Sequence, residues 1–493
     1  MSAWFILILI FELIAFTVSY WAGLALLPVG LLCIWIDLMI YAAFKPRARV
    51  CLLFFGISFF NFLLGREFLE SLFGYEVEFF SENVTHHAQT SLIISLLTVL
   101  GSYFFFERVS GVSKEENNDR AELPAVCLQS SKVMRLQKTS EILFYIALVM
   151  SLAYRLILGY VSYSTSYYES YMEASRISLY GNTFVRIVEV FDQMLPIFLV
   201  VFWATFPPKK RCRRVVLSYV FYLIVCLLRG SRSTSVLGLL WIAVYYVYRD
   251  GILSDGKKWV TKKKVYWGMA LSPIGLVCLS AIESIRAGER FRLSGGFHTL
   301  VDFFYHQGVS VNVIKRSYEY AAKLPADKYY SMTGFTESII GRILGFPQFS
   351  GNSAAHATQG SNLAHALSYL IMPGEYLEGR GTGTSYVAEL YHDFGYFGIV
   401  LGNVLFGYLL VKAIRLKTNS VFLNALILLT IRQLFWSPRG GFSEFILVPL
   451  KPVSIVAVLM VWLGAKLLFR KEKKNEERDA ETTRGDSVNA TDR

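Results

Sequence analysis

Charge is what this chain has least of. Asp, Glu, Lys and Arg make up 17% of its 493 residues, against about 25% in soluble domains. Hydrophobic residues reach 54% and the mean hydropathy is +0.43. A soluble protein of this size would lack the polar surface to cover its core, so composition excludes a soluble globular class and implies a polytopic membrane protein. Cysteine is also scarce. There are six, with no CxxC pair, which excludes a disulfide framework and a cysteine-based metal or redox motif. HExxH and Asp-x-Asp are absent, and His356 and His365 stand apart without carboxylates at metal spacing, so neither a zinc site nor a metal-assisted sugar-nucleotide mechanism is expected. The N-terminus has no basic region and no small-x-small cleavage site, and reads as a retained first span. No internal repeat is evident, where many transporters show paired broken spans in matching halves.

What is present is a series of apolar runs. A helix needs roughly 20 residues to cross a bilayer. On that basis twelve transmembrane helices are expected, at about 4–20, 22–44, 50–65, 89–106, 139–160, 183–206, 215–228, 234–248, 265–282, 396–414, 420–436 and 445–467. The net charge of +12 would suggest nucleic acid in a soluble protein, but here its placement matters more and no nucleic-acid partner is expected. With both termini inside, cytoplasmic segments carry 29 Lys and Arg and outside segments 14. PPKKRCRR (207–214) and KKWVTKKK (257–264) are strongly basic short loops and belong inside. All seven histidines then fall outside, as do no cysteines.

The expected organisation is therefore helices one to nine over 1–282, a large outside loop over 283–395, helices ten to twelve over 396–467, and a disordered cytoplasmic tail over 468–493. The long loop is not linker-like. VDFFYHQGVSVNVIKRSYEYAAKL (301–324), SMTGFTESIIGRILGFP (331–347) and SNLAHALSYLIMP (361–373) have apolar residues at helical spacing, with a candidate N-cap at Thr336. Short helices lying over the membrane surface are expected.

Several residues stand out chemically. RGSRS (229–233) sits between two short apolar runs and puts Arg229 and Arg232 at the tip of a helical hairpin. Arginines at that depth call for an anion or a water-filled cavity, and guanidinium suits bidentate contact with phosphate; snorkelling at an ordinary turn is the alternative. Arg286, Arg290 and Arg292 cluster outside just after span nine, where they could capture an anionic head group or pair with Glu283 and Glu289. GRGTGTSYVAELYHDFGYFG (379–398) looks like a glycine fingerprint but follows no strand, which rules out nucleotide binding. Its glycines can still present N–H groups to an anion, and Glu389, His392 and Asp393 share a helical face beside Arg380. Tyr167, Tyr168 and Tyr171 could stack on sugar rings or form an interfacial belt. Intramembrane charge is sparse and includes Asp37, Arg155, Arg186, Glu189, Asp192 and Arg432, of which Arg186, Glu189 and Asp192 are three apart and could pair, line a cavity or lock helices together.

RGSRS at an outer hairpin, a long outside loop and GRGTGTSYVAELYHDFGYFGIVLGNVLFG entering a span together resemble the Wzy-type O-antigen polymerases. The likeness concentrates in RGSRS and in 379–407, chiefly Gly383, Ser385, Glu389, Tyr391, Phe394, Gly395 and Gly398. The resemblance implies an inner-membrane glycosyltransferase with a periplasmic long loop, no cofactor and no metal. It implies undecaprenyl-diphosphate-linked glycans as donor and acceptor, and a polysaccharide chain-length regulator as partner. In these terms Arg229, Arg232, Arg286 and Arg290 would hold diphosphates, Arg380 would assist, and Glu389 or His392 would be the base. The related lipid A-core ligase and a lipid-linked oligosaccharide flippase are the rival readings. Loss of a polymerase leaves single repeat units on lipid A, loss of a ligase leaves none, and a flippase makes no glycosidic bond.

Overall fold

The computed structural model describes residues 25–46, 48–75, 78–110, 130–164, 183–228, 232–252, 258–261, 296–349, 351–415 and 420–468, with a few isolated positions besides. Every regular element among them is helical. In chain order the long helices are α1 (Leu26–Phe44), α2 (Val50–Phe73, with a π-helical turn at Phe60–Leu64), α3 (Glu82–Val109), α4 (Ser131–Ser164), α5 (Thr183–Ala204), α6 (Lys209–Leu228) and α7 (Arg232–Ile252). After them come α8 (Gly296–Gln307), α9 (Ser310–Glu319), α10 (Tyr386–Arg415), α11 (Val421–Trp436), α12 (Glu444–Leu450) and α13 (Pro452–Leu468).

The protein is all-α and polytopic. Seven described helices are long and apolar enough to cross a membrane, or eight if the bent pair α12 and α13 forms one span. These eight coincide with eight of the twelve expected spans. Two more, 215–228 and 234–248, are helices α6 and α7 but fall short on apolarity. The reason for α6 is its start: the helix opens at Lys209 and absorbs Lys209, Lys210, Arg211, Arg213 and Arg214 into its first turns. It is 20 residues long, about 30 Å, so the hairpin arm is longer than its apolar run. The remaining two expected spans, 4–20 and 265–282, lie almost entirely outside the described residues.

Packing follows the small residues and the buried charges. A Cβ on Gly407 of α10 would sit 2.0 Å from Ser102 Oγ of α3, so glycine there lets the two backbones approach closely. In α7, a Cβ on Gly238 would meet the Leu223 side chain of α6 at 2.6 Å, and Ser235 Oγ donates to the Leu223 carbonyl at 2.8 Å; α6 and α7 form a tight hairpin. Arg155 of α4 donates to Asp192 of α5 at 2.5 Å and to the Tyr222 hydroxyl of α6 at 3.0 Å. Asp192 therefore pairs across helices.

The described residues from 296 to 377 form short helices, of which α8 packs on α2 and α9 on α3 and α10. The expected amphipathic stretch 301–324 is broken into α8 and α9 at Gly308, where a Cβ would lie 2.6 Å from the backbone nitrogen of Arg66. The helix-start signal in 331–347 belongs to Ser338, whose side chain accepts from Ile340 N; Thr336 instead ends the preceding turn. Asn362 caps Leu363–Ile371 by accepting from Ala364 N, and Pro373 follows its end. Helix α10 starts at Tyr386 and kinks at Gly395 (φ 62°, ψ −154°), a conformation that suits glycine alone. Residues 386–394 thus form a short arm before the spanning part.

Candidate functional site

The arm of α10 carries Glu389, His392 and Asp393, and the structure gives each a different task. Glu389 is 2% exposed. One carboxylate oxygen accepts from Thr384 Oγ1 at 2.8 Å and the other from Phe442 N at 2.8 Å. A Cβ on Gly441 would come within 3.1 Å of it, so the turn at 440–442 is moulded onto this carboxylate. Ser443 in turn accepts at 2.7 Å from Gly334 N. Glu389 therefore clamps the turn between α11 and α12, and both its oxygens are engaged.

Asp393 points the other way. Its side chain is fully buried and its two oxygens accept from Tyr330 N at 3.0 Å and Ser331 N at 2.7 Å. This supplies acceptors for the start of the single-turn helix Tyr330–Met332. The same carboxylate lies 3.0 Å from His392 Nδ1. A carboxylate oxygen only accepts, so Nδ1 carries the hydrogen, and in a neutral ring the lone pair is then on Nε2. The imidazole packs on the Tyr330 ring at 4.6 Å. Among the described residues no hydrogen bond to Nε2 is found, and the ring is partly exposed. A carboxylate-oriented imidazole with a free Nε2 is the arrangement a general base requires.

Beside the arm lies an aromatic box. His87 of α3 stacks on Tyr318 at 3.9 Å, meets Tyr391 edge-on at 4.2 Å, and its Nδ1 lies 3.0 Å from the Tyr396 hydroxyl.

This architecture and its polar arm agree with a match along nearly the whole chain: the family model for O-antigen polysaccharide polymerase Wzy covers residues 1–472. The chain belongs to that family. No curated protein and no solved structure matches it. As a Wzy protein it is an integral membrane O-antigen repeat-unit polymerase.

The Wzy arm gathers three of the expected site residues, and Arg380 stands at its edge. Arg380 donates to Glu375 at 2.8 Å, while its backbone carbonyl accepts from Asn352. The glycine stretch before the arm spends its backbone on itself. Gly379 N, Arg380 N and Thr382 N donate to Tyr376 O, Glu375 O and Ser368 Oγ at 2.8–2.9 Å, so these N–H groups are not offered to an anion. Arg229, Arg286, Arg290, Tyr167, Tyr168 and Tyr171 lie outside the described residues, as does the side chain of Arg232 at the start of α7.

Sequence reasoning missed a buried ion cluster that fixes the loop beneath the arm. Lys315 Nζ of α9 sits 2.8 Å from Glu67 and 3.1 Å from Glu70, all three in the interior. Arg66 adds bonds to Glu70 at 2.6 Å, Glu78 at 2.9 Å and the Tyr305 hydroxyl at 2.9 Å. Burial opposes the charge on Lys315, but Glu67 and Glu70 override it and hold its pKa above the ordinary lysine value. Opposite charges at 66–78 and 315–316 were visible in the sequence, but nothing local linked them.

A second cluster, His356 and His365, stacks ring on ring at 3.6 Å. His356 Nε2 faces Glu337 at 3.4 Å and His365 Nδ1 faces the Tyr376 hydroxyl at 2.9 Å. Burial pushes His365 down to about 4, and the neighbouring His356 adds to this. For His356 burial also opposes the charge, yet Glu337 and the Gly351 carbonyl raise its pKa. The unfolded chain therefore protonates position 365 first as pH falls from about 6.5, and this site costs stability down to its folded value near 4. His365→Gln is expected to flatten the acid side of the melting-temperature profile in that window. Thermal melts of the purified protein across pH check this; an unchanged profile contradicts it.

Proposed function

We propose that this polymerase joins undecaprenyl-diphosphate-linked repeat units at the periplasmic face of the bacterial inner membrane, with His392 as general base. The observation that carries the reading is the His392–Asp393 pair on the arm of α10, with no described residue bonded to Nε2. In this reading both termini are cytoplasmic, the loop containing 296–395 is periplasmic, and a chain-length regulator is the partner in the membrane.

The growing chain is the donor. A hydroxyl oxygen of the incoming unit attacks the anomeric carbon and a new C–O bond forms. The bond from that carbon to the diphosphate oxygen breaks, and its electron pair leaves with undecaprenyl diphosphate. The hydroxyl proton passes to His392 Nε2. Arg229, Arg232, Arg286 and Arg290 neutralise the diphosphate as its charge grows, where preorganised cations act most strongly, and Arg380 assists from the loop edge. Tyr167, Tyr168 and Tyr171 stack on the sugars.

Glu389 takes a positioning role, because its oxygens are committed to Thr384 and Phe442. Glu389→Gln can keep both contacts, with Gln accepting from Phe442 and donating to Thr384. It is expected to retain activity within about ten-fold, while Glu389→Ala leaves the Phe442 N–H unpaired and loses more. Polymerisation rates of the purified variants check this. A loss in Glu389→Gln of about a hundred-fold or more would make Glu389 the base instead.

A further inference from the structure

Among the described residues, Arg432 stands on an apolar span with no hydrogen-bonding or ion-pair partner. Arg432 lies on the Val421–Arg439 span, and its Nε is buried without a hydrogen bond. Among the described residues no ion pair or hydrogen bond to its guanidinium is found. Its neighbour is the ring of Trp241, with the guanidinium carbon 5.3 Å from the centroid. Trp241 is fully buried and anchored by its Nε1 to the Leu428 carbonyl at 2.9 Å, one turn before Arg432. The partly buried arginine thus turns toward α7 at this level. Tyr219 of α6 and Glu444 of α12 lie within electrostatic reach, but neither bonds to it. Asp192 of α5, which also acts on Tyr219, is committed to Arg155 and Tyr222.

An unpaired intramembrane cation is costly. Here it sits about 8 Å along the helix from the outer turn at 437, and Trp241 lies ~14 Å down α7 from Arg232. The guanidinium therefore lies near the ends of both helices, on the side of the turn at 437 and of the start of α7.

We propose that Arg432 is a further substrate-binding residue of the polymerase, taking a phosphate oxygen of a diphosphate group from the membrane side. The inference rests on the lipid-diphosphate reading given above. It makes a demand that a structural arginine would not meet: removing the charge should not destabilise the empty protein.

The test uses full-length protein in nanodiscs, as wild type, Arg432→Met and Arg432→Lys. Melting temperature is measured alone, with undecaprenyl diphosphate and with inorganic pyrophosphate, and KM is measured for the lipid-linked donor. Without ligand, Arg432→Met should melt at or above wild type. The ligand-induced rise should vanish in it, and its KM should increase about ten- to a hundred-fold, the size of a lost charge-assisted hydrogen bond. Arg432→Lys should keep part of the rise. A rise with the lipid alone assigns the lipid diphosphate as occupant, and an equal rise with pyrophosphate assigns the diphosphate group by itself. A lower melting temperature for ligand-free Arg432→Met, or a rise and KM equal to wild type, overturns the proposal. If wild type binds undecaprenyl diphosphate through Arg432 yet forms no glycosidic bond, the donor reading fails while this site stands.

Discussion

His392→Ala is expected to abolish polymer in the cell while the protein still reaches the membrane at normal levels. The imidazole touches Asp393 through Nδ1 and packs on Tyr330, so truncation removes the base without uncapping the 330–331 turn. That turn is held by Asp393, whose backbone contacts do not involve the histidine. Loss of a positioned base lowers rate by about 10²–10⁴-fold. Lipopolysaccharide from such a strain should run as lipid A-core bearing single repeat units, with the long ladder missing. A normal ladder would remove His392 from the chemistry. Loss of even the single-unit band would point to ligation rather than polymerisation.

The second large effect concerns the fold. Lys315→Met strands Glu67 and Glu70, which are 0% and 7% exposed. Breaking a buried ion pair by deleting one partner costs about 3–5 kcal/mol, because the remaining charge stays uncompensated. Gln89 and Ser71 bond to Glu67, and Arg66 to Glu70, but none of these replaces both contacts that Lys315 makes. The variant should accumulate poorly and melt well below wild type. Pairing it with Glu67→Gln should recover part of the loss, since the double change removes one stranded charge. An unchanged melting temperature for Lys315→Met would show that the cluster does not hold the loop.

How far the sequence revealed this arrangement differs by feature. The span positions were legible where the apolar run and the helix coincide, as in α1, α3 and α10. They were less legible for α6, whose first turns are basic although the residues remain helical. The spacing of Glu389, His392 and Asp393 placed them on one arm. It could not assign their directions, because those depend on Tyr330, Ser331 and Phe442, which belong to distant segments. The kink at Gly395 was hidden for a similar reason: glycine permits the left-handed backbone, but only tertiary packing selects it. The Lys315–Glu70 contact spans 245 residues of sequence, and no periodicity encodes a pairing at that range. The Gly440–Gly441 pair was the one local signal for the clamped turn, and its meaning emerged with the side chains of Trp436 and Glu389 pressed against it.

The most direct measurement is a stoichiometry. Purified protein in nanodiscs is given synthetic undecaprenyl-diphosphate-linked repeat units as the only glycan, with and without a chelator. Chain length and released undecaprenyl diphosphate are followed together. The account predicts a ladder of lengthening chains, one undecaprenyl diphosphate released per unit joined, no effect of the chelator, and no ladder from His392→Ala. It would be contradicted by wild-type protein that forms no glycosidic bond, by activity that the chelator abolishes, or by a His392→Ala variant that polymerises at the wild-type rate.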